Sequence, residues 1–348
     1  MKDIWKRLVL FVHEQWSRIK TRSAARRRYE TEINLAVERV VDQVNPRLRA
    51  VSGYRRKLFP VVERALEHVR ELSLQVPGPV RVDRQAWAGD AMINALFGSV
   101  KRMRWVLTGP DVRKYVKEHP IGGDCYAVLA AMPEVRNQLG MELRGETVQR
   151  DVRQTAVSFS NHEVALVGEA EQSVREALAH DALELLVSLA VQDIVGQESR
   201  IAETEERLRI LRLKQKVAKS RSRGVELLLD ESAEHLKEQD ELRGRIAELE
   251  TDLPEVKKGL ESLDDYLKRL IALLEHPESH LGLEQVRVRL DRMNIVREGP
   301  ADSSGSEIEF TRALRGDQPG RVVAIIRFPR SELLEESDRL REVERYLG

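Results

Sequence analysis

The chain has 348 residues, with 58 Lys/Arg against 58 Asp/Glu and only 5% aromatics, so overall polarity points to no partner. One third of the residues are charged, a composition that suits long exposed helices better than one large globule. The single cysteine, Cys125, excludes an intramolecular disulfide and a multi-cysteine metal cluster, and no run reaches the ~18 apolar residues of a membrane span.

Residues 1–76 read as a basic helical region. Residues 1–104 carry 22 Lys/Arg against 11 Asp/Glu, which makes the first third positive and the remainder negative. Trp5, Leu8, Val9, Val12, Trp16 and Ile19 recur at steps of three and four and share one helical face. Lys2, Lys6, Arg7, Arg18, Lys20, Arg22, Arg26, Arg27 and Arg28 flank it. Lys/Arg beside Trp and Leu is the composition of an interfacial helix on anionic lipid, and the same arginines suit a phosphate backbone. The blander reading packs Trp5 and Trp16 on the protein's own helices and leaves the basic groups solvated. The run Leu8–Val12 is short, is followed by His13 and Glu14, and has no small-residue cleavage site, so no secretory signal is expected. The first helix is expected over 2–50 with Pro46 interrupting it, and a second from Arg55 to Leu74 closed by Pro77-Gly78-Pro79.

Residues 77–168 read as a mixed α/β body. Val80–Asp83 alternates like a strand, and Ala86–Phe97 reads as a helix ended by Gly98. Arg102–Leu107 is expected as a strand and Asp111–Glu118 as a short helix. Cys125–Ala131, Met141–Val148, Gln154–Ser160 and His162–Val167 predict an antiparallel sheet of three or four strands.

From Glu169 to His276 the period is helical. Apolar groups surround residues 174–195 on most sides, which predicts burial against the body. Beyond them the stripe narrows to Ile194, Ile201, Leu208 and Leu211, and the run Lys219–Gly224 is expected to open a flexible tip near 219–228. Its lysines and arginines, with Lys214 and Lys216, are a second candidate anion contact or a solvated tip. The return segment is the clearest pattern in the chain. Leu242, Ile246, Leu249, Leu253, Val256, Leu260, Leu263, Leu267, Leu270 and Leu274 follow an unbroken 4-3-4-3 spacing. That predicts an antiparallel coiled-coil hairpin over 169–276, with Pro254 as a kink or helix start. Gln197, Thr204 and Gln215 make the outgoing seam poorer, so a second copy or another protein surface is expected to complete it.

Residues 277–348 read as a β-meander with a closing helix. Strands are expected at Val286–Leu290, Ile308–Phe310 and Val322–Phe328, and Ser331 is placed as the cap of a helix from Glu332 to Tyr346.

Chemistry-bearing motifs are sparse. Neither a G-x-x-x-x-G-K-[ST] loop nor G-x-G-x-x-G occurs, so no nucleotide cofactor is expected. His162-Glu163 starts a zinc-type motif whose second histidine is Leu166, and His276 and His280 flank Pro277 without a third ligand. Neither set predicts a metal. Cys125 follows Gly122-Gly123-Asp124, and His162 lies some forty residues on, the order of elements in papain-like hydrolases. Asp124 or Glu163 would orient the histidine. The bland alternative is a small buried cysteine on a strand.

The sequence therefore predicts a predominantly helical α+β protein, with small antiparallel sheet modules flanking a long coiled-coil hairpin. The expected role is a non-enzymatic scaffold or adaptor in the cytoplasm, peripheral to the inner face of the membrane through residues 1–30. A cysteine hydrolase using Cys125 and His162, and a sequence-nonspecific nucleic-acid-binding protein, are the alternatives.

Overall fold

The computed structural model describes residues 26–144, 147–225, 233–297, 305–316 and 318–335. Those residues divide into two compact units: 26–65 with 184–275, and 66–183 with 276–335.

The second unit is built on one sheet. Its strands are β1 (Val80–Arg81), β2 (Cys125–Arg144), β3 (Thr147–Gly168), β4 (Leu281–Leu290), β5 (Ser306–Arg315) and β6 (Gln318–Phe328). The order is β3-β2-β6-β5-β4, with β1 parallel to β6 and the other pairings antiparallel. The two strand-rich stretches thus form a single sheet, and not separate modules on either side of the helices. The physical reason lies in β6. Its Val322–Ile326 run is apolar without alternation, the pattern of a strand covered on both faces. Ile326 and Phe328 face one core, while Ile325 packs into another with Val76, Val128 and Val174.

Four short helices line the first core: α3 (Arg84–Gly89), α4 (Ala91–Phe97), α5 (Val100–Leu107) and α6 (Pro110–Glu118). Two helices precede them in the chain, α1 (26–44) in the other unit and α2 (Tyr54–Gln75), whose residues are shared between the two units. The expected helix Ala86–Phe97 is divided at Asp90, whose carboxylate accepts from the backbone N–H groups of Met92 and Ile93. Arg102–Leu107, expected as a strand, is helical instead. Ser99 caps it through the Arg102 amide, and Met103, Val106 and Leu107 fall on one buried face at helical spacing.

β2 and β3 pair over nearly their whole length, with register shifts between Tyr126 and Val128, Ala130 and Met132, and Gly140 and Glu142. The four expected strands are two long ones interrupted by bulges, each of which displaces the two-residue alternation. Residues 294–296 bridge the ribbon to the end of β4 through Ala156–Ile295 and Leu290–Val296. The Phe159 and Phe310 rings, from β3 and β5, lie 5.0 Å apart. Residues Arg330–Glu332 form a short 3-10 turn that contains Ser331, and Leu333 beyond it is extended, so no helix starts at Glu332 as expected; residues 336–348 lie outside the described residues.

A buried arginine binds this unit together. Arg175 donates to the backbone carbonyls of Ser73, Val76 and Gly78 and pairs with Glu171. It satisfies carbonyls at the C-terminus of α2 that have no partner within the helix.

The first unit is helical. α1 buries Ile33, Val37, Val40 and Val41, and Asn45 terminates it by accepting from the Arg47 amide before the 3-10 turn Pro46–Ala50. Glu38 gathers Arg49, Tyr54 and Arg55; burial opposes its ionisation, but these three donors outweigh it and hold the carboxyl below its ordinary range. α7 (Glu171–Val225) is one continuous 55-residue helix that supplies both units. The expected break at Lys219–Gly224 does not occur, and the helix runs through it.

The return segment is two helices, α8 (Ala233–Lys257) and α9 (Leu263–Glu275). The Leu242–Leu274 segment, expected to kink or restart at Pro254, is instead interrupted over residues 258–262, where Gly259 takes φ +87°. Ser262 and Asp265 then start α9 reciprocally, each side chain accepting from the other's backbone amide. Pro254 lies inside α8 and neither begins nor ends it.

Candidate functional site

Three ion pairs set the level of α7 against α8 and α9: Asp193 with Arg269, Glu205 with Lys257, and Arg212 with Glu250. Partner numbers fall as α7 numbers rise, so the helices run antiparallel. From Asp193 to Arg212 and from Glu250 to Arg269 the chain advances the same nineteen residues, so the Gly259 break causes no slippage.

The ten residues Leu242 to Leu274 of the 4-3-4-3 stripe are all buried or half-buried. On α7 the inward stripe is Ala190, Ile194, Gln197, Ile201, Thr204, Leu208, Leu211, Gln215 and Ala218, again none of them exposed. Two of its three polar members, Gln197 and Thr204, have partners of their own. Gln197 Nε2 donates to the Val256 carbonyl at 2.9 Å, and its Oε1 accepts from Arg269 at 3.3 Å. Thr204 Oγ1 donates back to the Arg200 carbonyl of its own helix. Tyr266 Oη donates to Glu198, and that hydrogen bond, with burial and the carboxylate charge adding to it, pushes the phenol up to about 12.

The outside of these helices is unevenly dressed. Residues 207–218 of α7 hold five Lys/Arg and no acid, whereas 240–255 of α8 hold six Asp/Glu and two Arg. Within the basic stretch Ile210, Leu213 and Val217 are 43%, 55% and 51% exposed, three and four residues apart. An open groove of about 410 Å³ runs beside Ile210, lined by Arg207, Ile210, Leu211, Arg245, Glu248 and Leu249. Ile210, Leu213 and Val217 stand at helical spacing in the sequence, where the longer 4-3-4-3 pattern of the return segment overshadows them.

The expected anion-binding residues are divided by the limits of description. Lys2, Trp5, Lys6, Arg7, Trp16, Arg18, Lys20 and Arg22 lie outside the described residues. Arg26, Arg27 and Arg28, the first of the described residues, are exposed on α1, with Arg26 paired to Glu30. Lys214 and Lys216 are exposed on α7.

The structure does not bring Cys125 and His162 together. Gly168 stands opposite Tyr126 and Glu163 opposite Ala130, so His162 is about six residues along the ribbon from Cys125, roughly 20 Å at the rise of a strand. Cys125 is fully buried on β2 rather than at a helix start. Burial pushes its thiol up, and the nearby Arg330 guanidinium only offsets part of that. His162 donates to the Leu96 carbonyl at 2.7 Å and stacks on Phe97. Burial lowers its pKa, and Arg102 and Arg321 add to the effect. The two expected orienting acids are engaged elsewhere: Asp124 with Arg327 and Glu163 with Arg321, both at 2.7 Å.

His180, Asp181 and Glu184 bring potential ligand atoms within 4.8 Å, but they are exposed neighbours on one turn of α7, and adjacency along the helix accounts for the grouping. No helix among the described residues is long and apolar enough to cross a membrane. Comparison with protein-family models, curated proteins and solved structures finds no match to this chain, so its functional reading rests on this geometry.

Proposed function

We propose that this protein is a non-enzymatic scaffold whose contact surface is a coiled-coil hairpin formed by α7 with α8 and α9. The observation that carries the reading is the division of labour on these helices. Apolar residues at seam positions are turned inward over both strands, while the outer surface combines dense charge with the stripe Ile210, Leu213 and Val217. A rigid arm of that kind offers a long surface without paying to order itself on binding.

Attachment of the same protein to an anionic membrane surface through residues 1–30 is supported by the exposed Arg26–Arg28 cluster. Cosedimentation with phosphatidylserine vesicles is expected for the full chain, and is expected to weaken when Arg26, Arg27 and Arg28 are changed to Gln. Equal binding by both, or a preference for DNA over vesicles, would overturn that attachment.

Amide exchange of the full chain tests the arm. Residues 204–218 and 242–256 should exchange orders of magnitude slower than an unfolded peptide. Exchange at unfolded rates in both segments would remove the scaffold reading, because a surface that is not preformed cannot serve as a rigid arm.

A further inference from the structure

We infer that the arm pairs with a second copy of itself through its groove side, with both tips pointing the same way. This rests on the arm reading above and names the partner it leaves open.

The three cross-helix ion pairs fix which residues share a level. Extending that register, Arg207 lies level with Glu255 and Lys214 level with Glu248. Both bases and both acids recur at heptad spacing and all four are exposed. Arg207 and Glu248 line the groove, and Ile210 stands between the levels of the two bases. On this side α7 offers Arg207, which also pairs with Glu203, and Lys214 around Ile210. α8 offers Glu248 and Glu255 with Arg245 near them, so a net basic, partly apolar half lies beside a net acidic one.

A surface split in this way is complementary to itself under one kind of two-fold rotation. An axis parallel to the arm places α7 of one copy against α8 of the other, basic half on acidic half, at both of its symmetric contacts. An axis across the arm would instead set α7 on α7 and bring the Arg207 and Lys214 side against its own copy, which like-charge repulsion disfavours. The first arrangement also covers Ile210 and Val217, which the chain's own helices leave about half exposed. The inward seam takes no part, since Gln197 and Thr204 are already satisfied within the copy.

Sedimentation velocity of the full chain over a range of concentrations reads the pairing. The wild type should show a monomer–dimer equilibrium that weakens as salt is raised. Arg207→Glu with Lys214→Glu should weaken it by about tenfold or more, and so should Glu248→Lys with Glu255→Lys. An equimolar mixture of the two variants should regain the dimer, as should one chain carrying all four changes. A wild type that stays monomeric, a dimer indifferent to either pair of changes, or failure of both the mixture and the four-fold variant to recover would overturn the proposal. Amide exchange on the same samples separates the two readings. A monomer with a protected arm removes only the pairing, and a monomer with an unprotected arm removes both.

Discussion

The side-chain amide of Gln197, in the middle of α7, donates to the carbonyl of Val256 one residue before the end of α8. Near that end Pro254 and Glu255 carbonyls are taken by Lys258 and the Lys257 carbonyl by Leu260, so Gln197 fills the gap they leave at Val256. A glutamine that reads as a flaw in an apolar seam is thus the cap of a helix break on the opposite strand, held in place by Arg269.

Gln197→Leu should accordingly destabilise the protein by about 1–2 kcal/mol, the cost of leaving a half-buried carbonyl without its donor, despite the added apolar surface. Urea unfolding reads the change. A stabilised variant would mean the glutamine is tolerated rather than used.

Gly259→Ala should also destabilise, by about 1 kcal/mol, because φ +87° is open to glycine and strained for alanine. No heavy atom other than the far end of Arg269 lies near the added methyl, so the effect is one of backbone conformation. A neutral result would show that the break relaxes into continuous helix.

Arg175→Met should cost more, about 2–4 kcal/mol, since it strips donors from buried carbonyls around residues 73–78. Thermal unfolding should show a lower midpoint, with Arg175→Lys falling between the two. Equal stability of Met and wild type would show that water replaces the guanidinium without loss.

His162 makes stability pH-dependent in a defined sense. Its folded pKa lies below its unfolded value near 6.5, so the unfolded chain binds the extra proton first as pH falls. Stability should be full above pH 6.5 and decline below it, since protonation adds a proton at Nδ1, which has no partner among the described residues. His162→Gln should flatten the dependence between pH 6.5 and 5. An unchanged slope would assign it to other groups.

Cys125 should react with a thiol reagent only as fast as the protein opens, at neutral and alkaline pH alike, because burial both shields it and raises its pKa. Rapid labelling of native protein would contradict the buried placement.

The sequence made the seam legible because burial of a helix face leaves a direct record in residue spacing. Its interruption was hidden for the same reason: Leu260 and Leu263 keep the 4-3 step through the break, and only Gly259 with Ser262-x-x-Asp265 marks it. β6 was visible as a strand from its β-branched run, yet its pairing with β2 joins segments nearly two hundred residues apart, which no local pattern encodes. Arg102–Leu107 misread as a strand because a six-residue apolar-polar run fits either period until the Ser99 cap is weighed. Cys125 and His162 suggested a catalytic pair by order along the chain, and the β2–β3 register separates them.

The ion pairs between α7 and α8 set the two helices side by side, antiparallel and in one register. Paired cysteines at Arg212→Cys and Glu250→Cys in a Cys125→Ala background should cross-link within one chain under a short bifunctional thiol reagent, since these side chains now meet at 2.6 Å. Moving the second cysteine to Arg243, two helical turns away, should abolish the link. Equal cross-linking of both pairs, or none in the first, would contradict the register and with it the arm on which the functional reading stands.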